Sequence, residues 1–158
     1  MLKISVDAAP VLSRLKKLAA AGSDLSAPLS VCGEILLSSV EENFQRGGRY
    51  GSAGSWRGGG TRWADLADST KAARAKRGKW PGRILDMSQG GLAASISKTV
   101  QGNAVTVGTN KRYGAIHQFG GQAGRGRKVT IPARPFLVVQ DEDVEDMMDV
   151  LDRYIAKQ

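Results

Sequence analysis

The chain has 158 residues, of which 41% are hydrophobic and only 6% aromatic, and this predicts a single domain over 1–158 with a mostly aliphatic core. No stretch reaches the ~18 apolar residues of a membrane span, which excludes a transmembrane protein. The one cysteine, Cys32, excludes an intramolecular disulfide and a cysteine-based metal site. The net charge of +8 favours nucleic acid or acidic protein surfaces as partners.

The charges are segregated along the chain. Residues 46–83 carry ten basic side chains and two acids, and residues 111–134 carry six basic side chains and no acid. Residues 141–152 carry seven acids and no base. A chain with separate basic and acidic segments can bind copies of itself through them.

Two helices are predicted in the N-terminal part of the chain. The first covers 8–21, where leucines recur at helical spacing. The second covers 26–45, with Ser26 as its cap and an apolar stripe that ends at Phe44. Cys32 lies on that stripe without a local His or Lys to activate its thiol, so we interpret it as a small buried hydrophobe.

A long basic insertion is predicted at about 46–83. Seven of the fifteen residues in 46–60 are glycine, and such a stretch cannot bury enough apolar surface to order alone. A weak, strongly basic helix is predicted to start at 68 or 69 and to end at Gly78. Long insertions in compact domains are usually functional or disordered. We expect this one to be flexible in the free subunit and to order on assembly.

The next part of the sequence predicts a β-hairpin and a short helix. The segment 92–100 begins with helical spacing and changes to strand-like alternation, and a tight turn at 101–103 leads into a second strand. The short helix is predicted over 111–119. Its apolar residues Tyr113, Ile116 and Phe119 share one face, which we expect to pack in the core.

The C-terminal part predicts extended chain followed by a helix. Residues 129–131 and 136–139 look like strands or extended chain, and Arg134, in the proline-containing link between them, is expected to point outward or to lie in an ion pair. The last helix is predicted over 141–156. Its apolar face consists of Val144, Met147 or Met148, Leu151 and Ile155. The predicted class is therefore α+β, with two N-terminal helices, the insertion, a small mostly antiparallel sheet and a C-terminal helix.

Residues suited to catalysis or metal binding are scarce. His117 is the only histidine, and we interpret it as structural. The acids of 141–152 are explained by a solvated or partner-facing helix surface. The Gly-rich run 58–60 lacks the ending of a phosphate-binding loop. The sequence predicts no enzyme activity, no cofactor, no metal and no small-molecule substrate.

Nucleic-acid binding is the alternative to protein assembly. Arg46, Arg49, Tyr50, Trp56 and Arg57 mix cations with aromatic rings, as single-strand binders do. The acidic C-terminal helix would repel the same partner, and no helix-turn-helix or zinc-finger pattern is visible. A DNA- or RNA-binding accessory protein that uses the basic Gly/Arg-rich loop therefore stays open at this point.

Several short motifs occur in the order of a known family. They comprise the helix ending at Phe44, then Trp63, Leu66 and Thr70, then Ile84-Leu85, Ser88, Gly90-Gly91-Leu92, Ser95-Ile96, Val107-Gly108, the run 113–120 and the run 131–137 (IPARPFL). Together they resemble the phage virion morphogenesis family, the tail completion proteins of long-tailed bacteriophages, over about 26–156.

The resemblance implies a structural virion protein, made in the host cytoplasm, that completes the tail and joins it to the head. It implies a homo-oligomeric ring at the neck or tail end, hexameric because of the symmetry of such tails. The implied partners are other copies of the chain, tail tube or terminator proteins and head-side connector proteins. Non-specific contact with packaged DNA in the channel is also implied, and no membrane contact. The family brings no catalytic residues.

Residues of the exposed basic segments and of the acidic helix are the candidates for the assembly interface. They are Arg46, Arg49, Trp56, Arg57, Arg74, Lys76, Arg77, Lys79, Arg125, Arg127, Glu145 and Asp149. We expect the acids of one subunit to face basic residues of the next. Alternatively, the acids line the channel and keep passing DNA from adhering to its wall.

Overall fold

The structure is a computed structural model that describes residues 9–20, 24–48, 62–85 and 90–156. Within these residues the helices are α1 (Ala9–Ala20), α2 (Ser26–Arg46), α3 (Asp68–Ala75), α4 (Gly114–Phe119) and α5 (Asp141–Ile155). The strands are β1 (Ile96–Gln101), β2 (Ala104–Thr109), β3 (Gly121–Ala123) and β4 (Val129–Ile131), and 3-10 turns occur at Ala93–Ser95 and Arg125–Arg127. The predicted α+β class is confirmed. None of the helices in the described residues is long and apolar enough to cross a membrane.

The strands form two separate antiparallel hairpins. β1 pairs with β2 from Ile96 opposite Thr109 to Gln101 opposite Ala104, which confirms the predicted hairpin. Half-buried and exposed residues alternate along β1, as its sequence pattern predicts. β3 and β4 form the second hairpin. The sequence gives no sign of β3, because its Gly-Gln-Ala sequence has no apolar alternation and no β-branched residue.

Helix α2 connects two apolar clusters. The first cluster contains Val11, Leu18, Leu25, Leu29, Cys32, Val144, Met147 and Leu151. The second contains Val40, Phe44, Trp63, Leu85, Leu92, Phe136 and Leu137. The predicted stripe of α2 contributes Leu29 and Cys32 to the first and Val40 and Phe44 to the second, so one amphipathic helix joins the two halves of the core. Cys32 is buried, as predicted.

The start of α2 differs in detail from the prediction. Ser26 does not act as the cap, because it lies in the first turn and itself donates hydrogen bonds. Its backbone N–H and its hydroxyl donate to the carboxylate of Asp24, at 2.9 and 3.0 Å. Asp24 therefore accepts the first N–H of the helix, and these hydrogen bonds lower the pKa of Asp24. The helix ends at Gly47, whose φ of 69° suits the left-handed cap position.

The segment 136–139 is extended chain rather than a strand, the second of the two forms expected for it, because a side chain satisfies its backbone. The amide oxygen of Gln118 accepts hydrogen bonds from the N–H groups of Phe136 and Leu137, at 2.9 and 3.0 Å. Its amide nitrogen donates to the carbonyl of Leu137 at 3.1 Å. One buried glutamine of α4 thereby takes the place of a partner strand.

Two further side chains fix the same segment from the opposite direction. Asn43 of α2 donates to the carbonyl of Phe136 at 3.2 Å, and the indole N–H of Trp63 donates to the carbonyl of Pro135 at 2.9 Å. The rings of Trp63 and Phe44 meet edge to face with centroids 5.7 Å apart. The extended segment is therefore held by hydrogen bonds to three other parts of the chain.

The buried face of α4 also differs from the prediction. Tyr113 is 46% exposed and Phe119 is 65% exposed, whereas Gly114 and Gln118 face the interior. The helix has only six residues, so apolar spacing does not settle which side is buried. On α5 the predicted face is correct at Val144, Met147 and Leu151, but Ile155, at the helix end, is exposed.

The predicted insertion at about 46–83 includes chain that packs on the rest of the domain. Trp63 belongs to the second apolar cluster, and α3 begins at Asp68 as expected. Residues 49–61, which include Arg49, Trp56 and Arg57, lie outside the described residues. The flexibility of the insertion stays a prediction.

Candidate assembly surface

An open groove of about 370 Å³ lies between α3, α4 and β4. Its apolar lining comes from Leu66, Leu85, Leu92, Val129 and Ile131. Two arginines, Arg74 and Arg134, and the histidine His117 complete the wall. We call it the arginine groove because these two buried cations distinguish it from an ordinary apolar cleft.

Arg74 is only 8% exposed and is used inside the subunit. Its two terminal nitrogens donate to the carbonyls of Arg83 and Ile84, at 2.9 and 2.6 Å. Its Nε has no hydrogen-bond partner among the described residues. Burial lowers the pKa of Arg74. Arg74 was one of the predicted interface residues. It is not freely exposed, and it forms part of the groove wall.

Arg134 is 4% exposed, so the expectation that it points outward or pairs with an acid is wrong. Its Nε donates to the carbonyl of Ala64 and its Nη2 to that of Asp65, both at 2.8 Å. The irregular chain at 64–65 has no helix or strand partner, and a guanidinium offers several donors in a fixed geometry. Burial and then repulsion from Arg74 lower the pKa of Arg134.

Neither arginine forms an ion pair with a carboxylate in the described parts of the chain. The neighbouring acid, Asp65, instead holds the ammonium of Lys71 at 2.6 Å. That bond is the main cause of the lowered pKa of Asp65 and the raised pKa of Lys71. The arginine groove is therefore lined by two buried positive charges whose hydrogen bonds go to neutral carbonyls.

His117 adds a polar ring to the same wall. Its Nδ1 has no hydrogen-bond partner among the described residues, and its ring meets the edge of Tyr113 with centroids 6.1 Å apart. Burial and then the nearby Arg134 charge lower the pKa of His117. The groove therefore disfavours a third cation.

The exposed basic candidates lie on the chain segments that adjoin the two walls of the groove. Lys76, Arg77 and Lys79 are exposed and directly follow α3, whereas Arg125 and Arg127 are exposed in the 3-10 turn that precedes β4. Two segments that are far apart in sequence thus bring positive charge to one region. Arg46 does not belong to it, because it lies at the end of α2 and pairs with Glu42.

The seven acids of 141–152 have different roles. Asp143 is buried and accepts hydrogen bonds from the hydroxyl of Ser39 at 2.6 Å and from the N–H of Gln140 at 2.8 Å, which caps α5. Asp152 pairs with Arg14 of α1 at 3.1 Å. These two acids stabilise the subunit itself.

Three acids form an exposed surface on α5. They are Glu145, Asp146 and Asp149, which we call the acidic face. Glu145 and Asp146 form no ion pair with any described residue, and Asp149 lies 3.8 Å from Arg153 one turn later. The exposure predicted for the acids of this helix is therefore correct at all three positions, although only Glu145 and Asp149 were among the interface candidates.

The sequence also did not predict the hydrogen-bonding roles of Gln118 and Arg134 or the burial of Arg74. An arginine within the otherwise apolar run IPARPFL is a possible signal for a buried donor. Gln118 carries no such signal, because its role depends on a segment almost twenty residues later. In the described residues no group of three His, Cys, Asp or Glu side chains could hold a metal ion.

Comparison with known proteins gives consistent matches along the chain. The "Mu-like prophage FluMu G protein 2" of Haemophilus influenzae is 34% identical over 155 residues, which cover 98% of this chain and 96% of the relative. The "Putative capsid assembly protein G" of Escherichia phage Mu is 29% identical over 156 residues, which cover 98% and 94%. No solved structure shows significant similarity to the chain.

The sequence profile of one protein family matches residues 6–156. This family is the one that the sequence motifs resemble. The matched range includes all the elements that frame the arginine groove and the acidic face. The identification from the motifs is confirmed, and the chain belongs to the phage virion morphogenesis family, whose members act in the structural assembly of phage particles.

Proposed function

We propose that the protein completes the phage tail and joins it to the head, as a homohexameric ring at the neck or tail end of the virion. Membership of the phage virion morphogenesis family over residues 6–156 carries this proposal. The relative from phage Mu is named for capsid assembly, and a protein that joins the tail to the head would contact the capsid side as well as the tail. The protein acts in this role through its binding surfaces.

The charges of the described residues support self-association. Each subunit exposes a basic region beside the arginine groove and an acidic face on α5. Oppositely charged surfaces on one chain favour contact between copies, and they also accelerate the encounter. The adjoining partners of the ring are tail tube or terminator proteins on one side and head-side connector proteins on the other.

Deletion of the gene in the phage tests the joining role. We expect lysates with DNA-filled heads and separate tails, and we expect the wild-type gene supplied from a plasmid to restore complete virions. Electron microscopy of both lysates gives the fraction of joined particles. Normal virions in the deletion lysate would contradict the proposal, and lysates without filled heads would indicate an earlier role in capsid assembly.

The oligomeric state is tested on the purified protein. Mass photometry and negative-stain images are expected to give six copies in a closed ring at micromolar concentration. A chain that stays monomeric at every concentration and salt level would contradict the ring.

Nucleic-acid binding is the second candidate function, and the exposed basic residues beside the groove favour it. The test replaces Lys76, Arg77, Arg125 and Arg127 together by alanine, and leaves Arg74 unchanged because it is buried. If these residues serve DNA, affinity is appreciable at physiological salt, falls steeply with salt and is lost in the variant. If they serve assembly, DNA affinity is weak from the start and the variant fails in joining. Replacement of the exposed Lys16 and Lys17 of α1 is the control.

A further inference from the structure

We propose that the arginine groove is the docking site for the acidic face of α5 from a second copy of the chain. The proposal rests on the self-association in the proposed function and adds the two surfaces that meet. The contact is head to tail, since each copy would offer its groove to one neighbour and its acidic face to the other. Such heterologous contacts generate rings when the rotation closes.

The first argument is the incompletely compensated charge of the groove, because Asp65 acts on Arg134 only from beyond ion-pair distance and is itself held by Lys71. Arg74 and Arg134 are 8% and 4% exposed, and neither has a carboxylate partner among the described residues. Buried charges in proteins are usually paired, because a charge without a partner in a poorly solvated position is costly. A cleft with apolar walls also focuses the field of its charges. The groove therefore favours an incoming carboxylate.

The second argument is the apolar surface that the groove leaves exposed. Val129 is 56% exposed and Tyr113 is 46% exposed at its edge, and Leu66, Leu85 and Ile131 line its interior. Burial of such surface stabilises a contact by about 25 cal/mol per Å². The basic residues on both sides, after α3 and before β4, would orient an acidic partner. These features fit an acidic helix better than a small anion.

The third argument is that, among the described residues, the acidic face has no ion-pair partner outside its own helix. Its nearest ion-pair partner is Arg153 on the same helix, at 3.8 Å from Asp149. Helix α5 packs on the first apolar cluster, whereas Leu85 and Leu92 of the groove belong to the second. The two charged surfaces therefore lie on different parts of the subunit, as a head-to-tail contact requires. Glu145 and Asp149 are one turn apart, about 6 Å along the helix axis.

Cross-linking between two cysteine variants tests the contact directly. Thr70→Cys places a thiol in the groove wall on α3, and Asp146→Cys places one on the acidic face. The two variants carry tags of different mass and are mixed under oxidising conditions. We expect a mixed covalent dimer. Ala72→Cys, on α3 but outside the groove lining, is the matched control and is expected to give little product with Asp146→Cys.

A bulky side chain in the groove gives an independent measurement. Thr70→Trp is expected to lower the association constant by about tenfold or more, which corresponds to ~1.4 kcal/mol, measured by sedimentation. Ala72→Trp adds the same ring to the exposed surface of the same helix and is expected to leave association within about twofold. Circular dichroism of both variants shows whether the fold is intact.

The outcomes separate this inference from the proposed function. Rings that form without a cross-link to Thr70→Cys, and that tolerate Thr70→Trp, would overturn the docking site but leave the joining role intact. Protection of Thr70→Cys from a thiol reagent by duplex DNA, without protection by self-association, would assign the groove to phosphate and also overturn it. Normal virions from the deletion phage would instead contradict the joining role.

Discussion

The amide of Gln118 forms three hydrogen bonds to the backbone of Phe136 and Leu137, and all three are buried. Gln118→Leu keeps the approximate volume but leaves two N–H groups and one carbonyl without partners. Unsatisfied buried groups cost about 1–3 kcal/mol each, so we expect a loss of at least about 3 kcal/mol in the free energy of unfolding. Urea denaturation measures it. Gln45→Leu, at an exposed position on α2, is the control, and similar losses in both variants would contradict this role.

His117 gives a prediction about pH because it is the only histidine in the chain. Burial and Arg134 lower its pKa in the folded state, so the unfolded chain, with a pKa of about 6.5, takes up a proton first as the pH falls. The stabilisation from the neutral ring is complete above pH ~6.5 and is lost progressively below it. We expect His117→Gln to flatten the decrease in unfolding free energy between about pH 7 and pH 5. Parallel curves for the two proteins would refute the assignment.

At the residue scale, the sequence predicted properties that depend on local pattern. Cys32 lies on the helical stripe and is buried as expected, and burial raises the pKa of its thiol. Arg134 and Gln118 were beyond prediction because their positions depend on irregular backbone that needs donors and acceptors from elsewhere. Pattern identifies the apolar core better than it identifies buried polar residues.

The docking of the β1–β2 hairpin on α2 depends on Gly33. A β-carbon at this position would lie 2.9 Å from Val105 Cγ2 and 2.9 Å from Lys98 Cδ. Non-bonded carbon atoms in proteins do not come this close to a β-carbon. Gly33→Val is therefore expected to push the hairpin away and to cost about 1–3 kcal/mol. Thermal or urea unfolding measures the cost. Ser38→Val adds the same side chain at an exposed position of α2 and is expected to have a small effect.

At the element scale, long periodic segments were predictable, whereas the strand β3 and the buried face of the short helix α4 were not. The bounds of α2 and α5, and the change from helical spacing to alternation before β1, follow from apolar residues repeated over several turns. The segment 136–139 has the residues of a strand, but Gln118 and Asn43 bond its backbone instead, and Trp63 bonds the carbonyl just before it. Tertiary hydrogen bonds thus override the β-propensity of this segment.

At the scale of the whole molecule, the net charge of +8 is the sum of two surfaces of opposite sign, the basic region beside the groove and the acidic face, and of the other charges. The basic region needs both α3 with its following turn and the hairpin of β3 and β4, which are about fifty residues apart in sequence. The charges could therefore be predicted from the sequence, but their position beside one groove could not. Conversely, two of the seven acids on α5 stabilise the subunit through Ser39 and Arg14, which leaves a smaller acidic face than the sequence suggested.

Reversal of the charges on the acidic face tests how copies recognise each other. Glu145→Lys combined with Asp149→Lys replaces attraction to the basic groove by repulsion. Individual exposed pairs contribute about 0–1 kcal/mol, and each reversal both removes an attraction and adds a repulsion. We therefore expect association to weaken by about tenfold or more at low salt and by much less at high salt, where exposed charges are screened. Sedimentation at the two salt concentrations measures the difference, and the rate of assembly should fall as well.

The matched control is the triple variant Glu41→Lys, Ser38→Lys and Gln45→Lys, which changes the net charge equally at exposed positions of α2, away from the acidic face. If association responds only to net charge, both variants weaken it to the same extent, and docking through the acidic face is refuted. If the acidic-face variant forms rings normally at low salt, but its particles fail to hold or pass DNA, the acids line the channel instead. A loss that is specific to the acidic face and is relieved by salt is the result that intersubunit pairing requires, since only opposed charges at a contact respond in this way.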